Sequence, residues 1–255
     1  MRQIVAALCV VVFGACQNNE ASNLPVNPGG GGPGGGGLHL DGGRDSSDGA
    51  RTTFKVCLLT DPRGLDACAP NGAANLTVTL GSGSNAPTAT TADDGSFTIQ
   101  VPSGNGLVWY VTSTGTTPIM PTMMPATGGS IIPAVTQDAY NTLYQANPPL
   151  SVDATAADVF MRVDINGNPV IGATASSSPA GTYPPLYDGA SSQKWVDSTL
   201  ANAATGTAGT VWFPALPGAS SSADLTVLPS VDDTKQTFTV PIQAGWITML
   251  FAAAT

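Results

Sequence analysis

The sequence predicts an all-β protein, two antiparallel β-sandwiches in tandem, and three observations carry that prediction. Charged residues make up only 10% of the 255, against about 25% in ordinary soluble chains. The sole glutamate, Glu20, lies far from the strand-forming sequence, so the chain lacks the residues that clothe the exposed face of a helix. Second, 30 Gly and 21 Pro interrupt runs rich in Thr, Val and aromatics, a composition of short strands joined by turns. Third, a pattern occurs twice: Thr91–Ile99 reads T-A-D-D-G-S-F-T-I and Thr205–Phe213 reads T-G-T-A-G-T-V-W-F. In each, a Thr is followed four residues on by Gly, then a hydroxyl residue, then alternating apolar residues. That is a hairpin, with Gly95 or Gly209 at positive φ and Phe97/Ile99 or Val211/Phe213 facing one core.

Residues 1–15 read as an export signal: Arg2, then the apolar run Ile4–Phe13, then the small pair Gly14-Ala15. Cys16 follows. This order resembles a bacterial lipoprotein signal, and the resemblance implies that Cys16 is acylated and becomes the new N-terminus. The run is well short of the ~20 residues of a membrane-spanning helix. Gln17 stands where Asp would mark inner-membrane retention, so the expected location is the outer membrane of a bacterial envelope, periplasmic or surface-exposed. Residues 16–51 form a Gly/Pro-rich linker without apolar periodicity, expected to be disordered. Its Gly run follows no strand, precedes no helix and carries no G-K-[ST], so it is not a phosphate-binding loop.

Residues 52–125 are the first expected sandwich. Strands are read at 53–60, 75–80, 87–92, 96–102 and 107–114, separated by Asp61-Pro62-Arg63-Gly64, Gly81-Ser82-Gly83, Asp93-Asp94-Gly95 and Ser103-Gly104-Asn105-Gly106. Residues 126–154 are a connector. Thr136 is placed to cap a short helix to Ala146, because Ala139, Tyr140, Leu143 and Tyr144 share one face. Residues 155–255 give the second sandwich, with strands at 157–165, 169–176, 210–214, 224–228, 235–242 and 245–252. Asn166-Gly167-Asn168 signals a hairpin, and 177–206 form a long aperiodic excursion. Each sandwich is expected to enclose its own core.

The paired Thr-x-x-x-Gly hairpins, followed by Pro102 in one case and Pro217-Gly218 in the other, resemble the carboxypeptidase regulatory-like family. Asn168-Pro169-Val170-Ile171-Gly172-Ala173 is similar to that family's second-strand entry. The resemblance implies a transthyretin-like (prealbumin-like) seven-stranded sandwich serving as an accessory, binding or structural module. The second copy carries Thr207-Ala208 where the first has Asp93-Asp94.

The chemistry-bearing residues point away from catalysis. The single histidine, His39, lies in the linker, so no folded Ser-His-Asp or Cys-His arrangement is available to it. Ser191-Ser192-Gln193-Lys194 fits S-x-x-K but lacks its companion motifs. Asp93-Asp94 and Asp232-Asp233 read as turn residues, because neighbours on a strand point to opposite faces. Asp164–Asn168 begins like a calcium loop, yet Ala175 stands where the closing Glu belongs. No metal or cofactor is expected. Of the four cysteines, Cys9 lies in the signal and Cys16 takes the lipid, leaving Cys57 and Cys68 to form a disulfide in an oxidising compartment. A net charge of −9 without a basic cluster excludes nucleic acid. The expected function is non-enzymatic: binding, adhesion or structure at the envelope, with a polysaccharide-binding module or an accessory protein of a secreted hydrolase as alternatives. Partners are the membrane, through the lipid, and a protein or polysaccharide of unknown identity. Trp109 and Trp212 fall within strands, as core residues do, whereas Tyr183, Tyr187 and Trp195 in the excursion are the candidates for ligand contact.

Overall fold

Seven strands build the first half of the folded chain: β1 (Arg51–Leu58), β2 (Leu76–Leu80), β3 (Thr88–Thr90), β4 (Ser96–Gln100), β5 (Val108–Ser113), β6 (Thr122–Pro125) and β7 (Ile131–Ala134). The computed structural model describes residues 51–254 other than 114, 116, 128, 148, 190–194 and 230–233. All belong to one compact unit, Asp45–Thr255. The signal, Cys16, His39, nearly all of the linker, Ser191–Lys194 and Asp232-Asp233 lie outside the described residues. The seven strands form two layers, in the orders β4-β1-β7 and β3-β2-β5-β6.

Helix α1 (Gln137–Ala146) follows, and the Ala139 N–H donates to the Thr136 hydroxyl at 3.2 Å to cap it. Tyr140, Leu143 and Tyr144 are its buried stripe.

The second half contains β8 (Ala156–Ile165), β9 (Asn168–Pro169), β10 (Thr174–Ser178), β11 (Leu186–Tyr187), β12 (Val196–Asp197), β13 (Thr210–Pro217), β14 (Ser222–Leu228), β15 (Gln236–Pro241) and β16 (Ile247–Ala254). Its plan repeats the first. β13-β8-β16 matches β4-β1-β7, and β10-β14-β15 matches β2-β5-β6. In both halves the central strand runs antiparallel to one neighbour and parallel to the last strand of the half. The expectation of purely antiparallel sheets is therefore corrected to mixed ones. The last strand of each half crosses over from the opposite layer, so it can enter in the same direction as the first.

The two halves are continuous. Strand β6 pairs in parallel with β16 at Thr122–Met123 and Ile247–Thr248, which merges four strands of the first half with the second half's sheet into ten. Two core clusters are present, but the first is not enclosed by the first half alone. Along β8, Ala157, Val159, Met161 and Val163 face the second core. Phe160 faces the first, as do Trp212 of β13 and Ile247 and Met249 of β16. A sheet covered on both faces has no polar side to alternate, so these strands read as almost unbroken apolar runs.

The segment read as a connector, 126–154, supplies β7 and α1, and β6 ends just before it. The Pro- and Met-rich residues 118–135, which include β6, gave no strand signal because inward and outward positions do not alternate there: Thr122, Met123 and Met124 are all buried. Pro133 is tolerated in β7 because that strand lies at a sheet edge. The excursion also contributes, adding β11 and β12 outside β13.

Candidate functional site

The repeated Thr and Gly hold one arrangement in both halves. Thr91 is buried; its hydroxyl accepts from the Leu76 N–H at 2.9 Å and donates to the Ala73 carbonyl. Thr205, equally buried, accepts from the Ala173 N–H at 2.8 Å and donates to the Val170 carbonyl at 2.7 Å. Gly95 (φ 82°) and Gly209 (φ 65°) take the positive φ expected of them. Their carbonyls accept from Val56 and Val163, each at 2.9 Å. A Cβ on Gly95 would lie 2.4 Å from the Val56 carbonyl oxygen, and one on Gly209 would lie 3.0 Å from that of Val163.

The missing acidic turn of the second half has a substitute. In the first half, Asp94 accepts from the Ser96 N–H at 2.9 Å. In the second, the buried Asp188 reaches in from the end of β11 and accepts from Gly206 (2.6 Å), Ala208 (2.7 Å) and Thr210 (3.3 Å). Burial raises its pKa, against the pull of those three N–H donors.

A second buried carboxylate joins three elements. Asp158 of β8 accepts from the hydroxyls of Tyr140 and, at 2.9 Å, Tyr144, one helical turn apart on α1. It also accepts from the Ala215 N–H at 2.9 Å. Ala215 sits at φ 52°, at the register shift of β13. Complete burial raises the Asp158 pKa; the Tyr140, Ala215 and Tyr144 hydrogen bonds and the nearby Trp212 indole oppose the shift. Burial and the Asp158 charge raise both tyrosines. These oxygens are engaged by structural donors, so the cluster fixes α1 and the β13 bulge against the central sheet.

Cys57 and Cys68 are bonded. The loop they close reaches the second half: Thr210 donates to the Arg63 carbonyl at 2.6 Å, and Arg162 of β8 pairs with Asp66 and, at 2.9 Å, with Asp164. Among the described residues, no group of three or more His, Cys, Asp or Glu is placed to hold a metal ion, and no helix is long and apolar enough to cross a membrane.

The candidate aromatics do not come together. Tyr187 is buried in the second core, its hydroxyl accepting from the Ala175 N–H at 2.9 Å. Trp195 is buried in the first, with Phe160 and Trp212 at centroid distances of 5.9 and 5.6 Å. Both are corrected from ligand contacts to packing residues, because β11 and β12 fold the excursion onto β13. Tyr183 is half-buried and bonds Ser151 at 3.1 Å. Trp109 and Trp212 are core residues.

A different aromatic pair remains at the surface. Tyr110 of β5 and Trp246, just before β16, are each half-buried and meet edge to face at 5.8 Å. Tyr110 borders a cleft of about 620 Å³ between the 81–87 and 102–108 loops, with Ser82, Ser84 and Asn85 on its walls. Sequence reading placed Tyr110 on a strand but had no means of finding Trp246 beside it, since the pair crosses from one half to the other.

No family model matches the chain. No curated protein matches it either. Among solved structures it is similar to the Bacillus anthracis TIE protein, at 11% identity and a TM-score of 0.22, over 80% of this chain and 34% of that one. The chain thus spans about a third of that protein's length, and a likeness of that size assigns neither fold nor function.

Proposed function

We propose that this protein is a non-enzymatic binding module of a bacterial cell envelope, held to the outer membrane by lipid on Cys16. We read its two halves as transthyretin-like sandwiches of the carboxypeptidase regulatory-like kind, fused through a shared sheet. The observation that carries the binding role is the open cleft beside Tyr110. The buried polar side chains Asp158, Asp188, Thr91 and Thr205 have their oxygens engaged by hydrogen bonds within the fold, whereas Ser82, Ser84 and Asn85 are exposed at the cleft. Surface loops on a rigid sheet are where binding residues usually lie. The shared order of β4-β1-β7 and β13-β8-β16, with the same Thr and Gly roles, supports the family reading.

Co-sedimentation of the purified mature chain with isolated envelopes tests the role. Binding should be saturable, and Ser84→Arg, which places bulk and charge at the cleft, should weaken it at least tenfold. Envelopes that take up no protein above background, or take up the variant equally well, would remove this reading.

A further inference from the structure

We infer that the cleft and the Tyr110–Trp246 pair form one binding strip for a neutral glycan, bridging the two halves of the chain; this deepens the binding role proposed above and rests on it. Along β5, Trp109 and Val111 point into the core, which turns Tyr110 to the opposite face of the sheet. There it lies opposite Thr79 of β2, which in turn lies opposite Thr88 of β3. The two threonine hydroxyls are 3.2 Å apart. A row of Trp246, Tyr110, Thr79 and Thr88 therefore crosses the strands, with two spacings of ~4.8 Å between Tyr110 and Thr88. At Tyr110 the row meets the cleft, where the 81–87 loop presents Ser82, Ser84 and Asn85.

The chemistry of this strip selects its ligand. The described residues that line the cleft include no Asp, Glu, Lys, Arg or His, so a charged ligand would find no counter-ion there. Hydroxyl and amide groups on one side suit a ligand that both donates and accepts hydrogen bonds. Aromatic faces on the other carry negative π-density, which attracts the polarised C–H bonds on the flat face of a sugar ring. The chain's net charge of −9 further disfavours acidic polymers. The cleft also falls within the ~300–1,000 Å³ of small-ligand sites. A neutral glycan meets all of these conditions. Because Tyr110 belongs to the first half and Trp246 to the second, the strip exists only when the β6–β16 pairing has formed.

The test titrates the full mature chain with hexasaccharides of β-1,4-glucose, α-1,4-glucose, β-1,4-xylose, β-1,4-mannose and β-1,4-N-acetylglucosamine, with polygalacturonate as the acidic arm. Calorimetry gives affinity, and the part of the tryptophan fluorescence change that Trp246→Leu abolishes reports on Trp246 among the four tryptophans. At least one neutral probe should bind saturably and outcompete polygalacturonate. Tyr110→Thr, which suits a strand, and Trp246→Leu should each weaken that binding by roughly tenfold. Asn85→Ala, in an exposed loop and harmless to folding, should weaken it severalfold, and an unchanged melt certifies each variant. Silence from every neutral probe, preference for polygalacturonate, or equal affinity in all three folded variants would overturn the assignment. Silence combined with saturable envelope binding would remove the glycan and leave the binding role; loss of envelope binding would remove the role itself.

Discussion

Thr91 and Thr205 each satisfy a buried N–H and a buried carbonyl with one hydroxyl. Thr91→Val keeps the shape and strands both groups. At ~1–3 kcal/mol for each of the two orphans, the variant should lose roughly 2–6 kcal/mol in urea denaturation. Thr91→Ser keeps the hydroxyl and gives up one methyl, for about 1 kcal/mol. Equal losses in the two variants would mean that packing, rather than hydrogen bonding, holds the position. The same comparison applies at Thr205. The sequence made the Gly of each turn readable, because positive φ is a local requirement. It did not reveal the role of the Thr, whose partners in the first half lie 15 and 18 residues upstream. Asp188 was hidden for the same reason: it replaces the absent Asp94 from 18 residues before Gly206.

At the scale of elements, Asp158 ties α1, β8 and the β13 bulge together, and its charge state makes that tie pH-dependent. Its folded pKa is raised above 3.8, so the folded chain binds this proton more tightly than the unfolded one. The associated stability is fully present below about pH 3.8 and declines as pH rises through the folded value. Asp188 acts in the same direction. Asp61 acts in the opposite one: burial raises its pKa, but the Arg63 hydrogen bonds and charge bring it below 3.8, so its stability is lost as pH falls through that lowered value. Asp158→Asn removes only the Asp158 contribution. Melting temperatures measured from pH 3 to 7 should therefore shift in favour of the variant, relative to wild type, as pH rises above about 3.8. A difference independent of pH would show that burial does not raise the Asp158 pKa on folding. The disulfide loop is the other cross-element tie. Cys57→Ser with Cys68→Ser should cost ~2–3 kcal/mol, from the unfolded-state entropy of so short a loop, and calorimetry under non-reducing conditions measures it; a loss below about 1 kcal/mol would place the loop's stability in its contacts with Thr210 and Arg162 instead. Strands whose faces differ in polarity, such as β2 and β4, were legible from alternation. Strands β6 and β7 were not, since burial on both sides and proline at an edge erase the period that identifies a strand.

For the whole molecule, the sequence conveyed two copies of one plan but not their fusion, because the contacts that fuse them join residues far apart in the chain. Anchoring is a property of the molecule that its first residues predict. Cys16→Ser should release the protein from membranes that otherwise retain it through high-salt and carbonate washes, since each buried acyl CH₂ contributes ~0.8 kcal/mol; a variant that still fractionates with membrane would refute lipid attachment. Cooperativity is the property that the fold predicts. Phe160, Trp212, Ile247 and Met249 of the second half complete the core of the first, and β6 pairs with β16. A fragment ending at residue 125 would lack β7 and α1 as well, leaving β1 with one partner and the core open on the side that those groups cover. A fragment so small has little apolar area to lose. Residues 51–125 alone should therefore show no cooperative melt, disulfide intact or not, while the full chain unfolds in a single calorimetric transition whose van't Hoff and measured enthalpies agree. Two resolved transitions in the full chain, or a cooperative melt of the fragment, would establish that each half folds by itself and that the shared sheet is only a contact between finished domains.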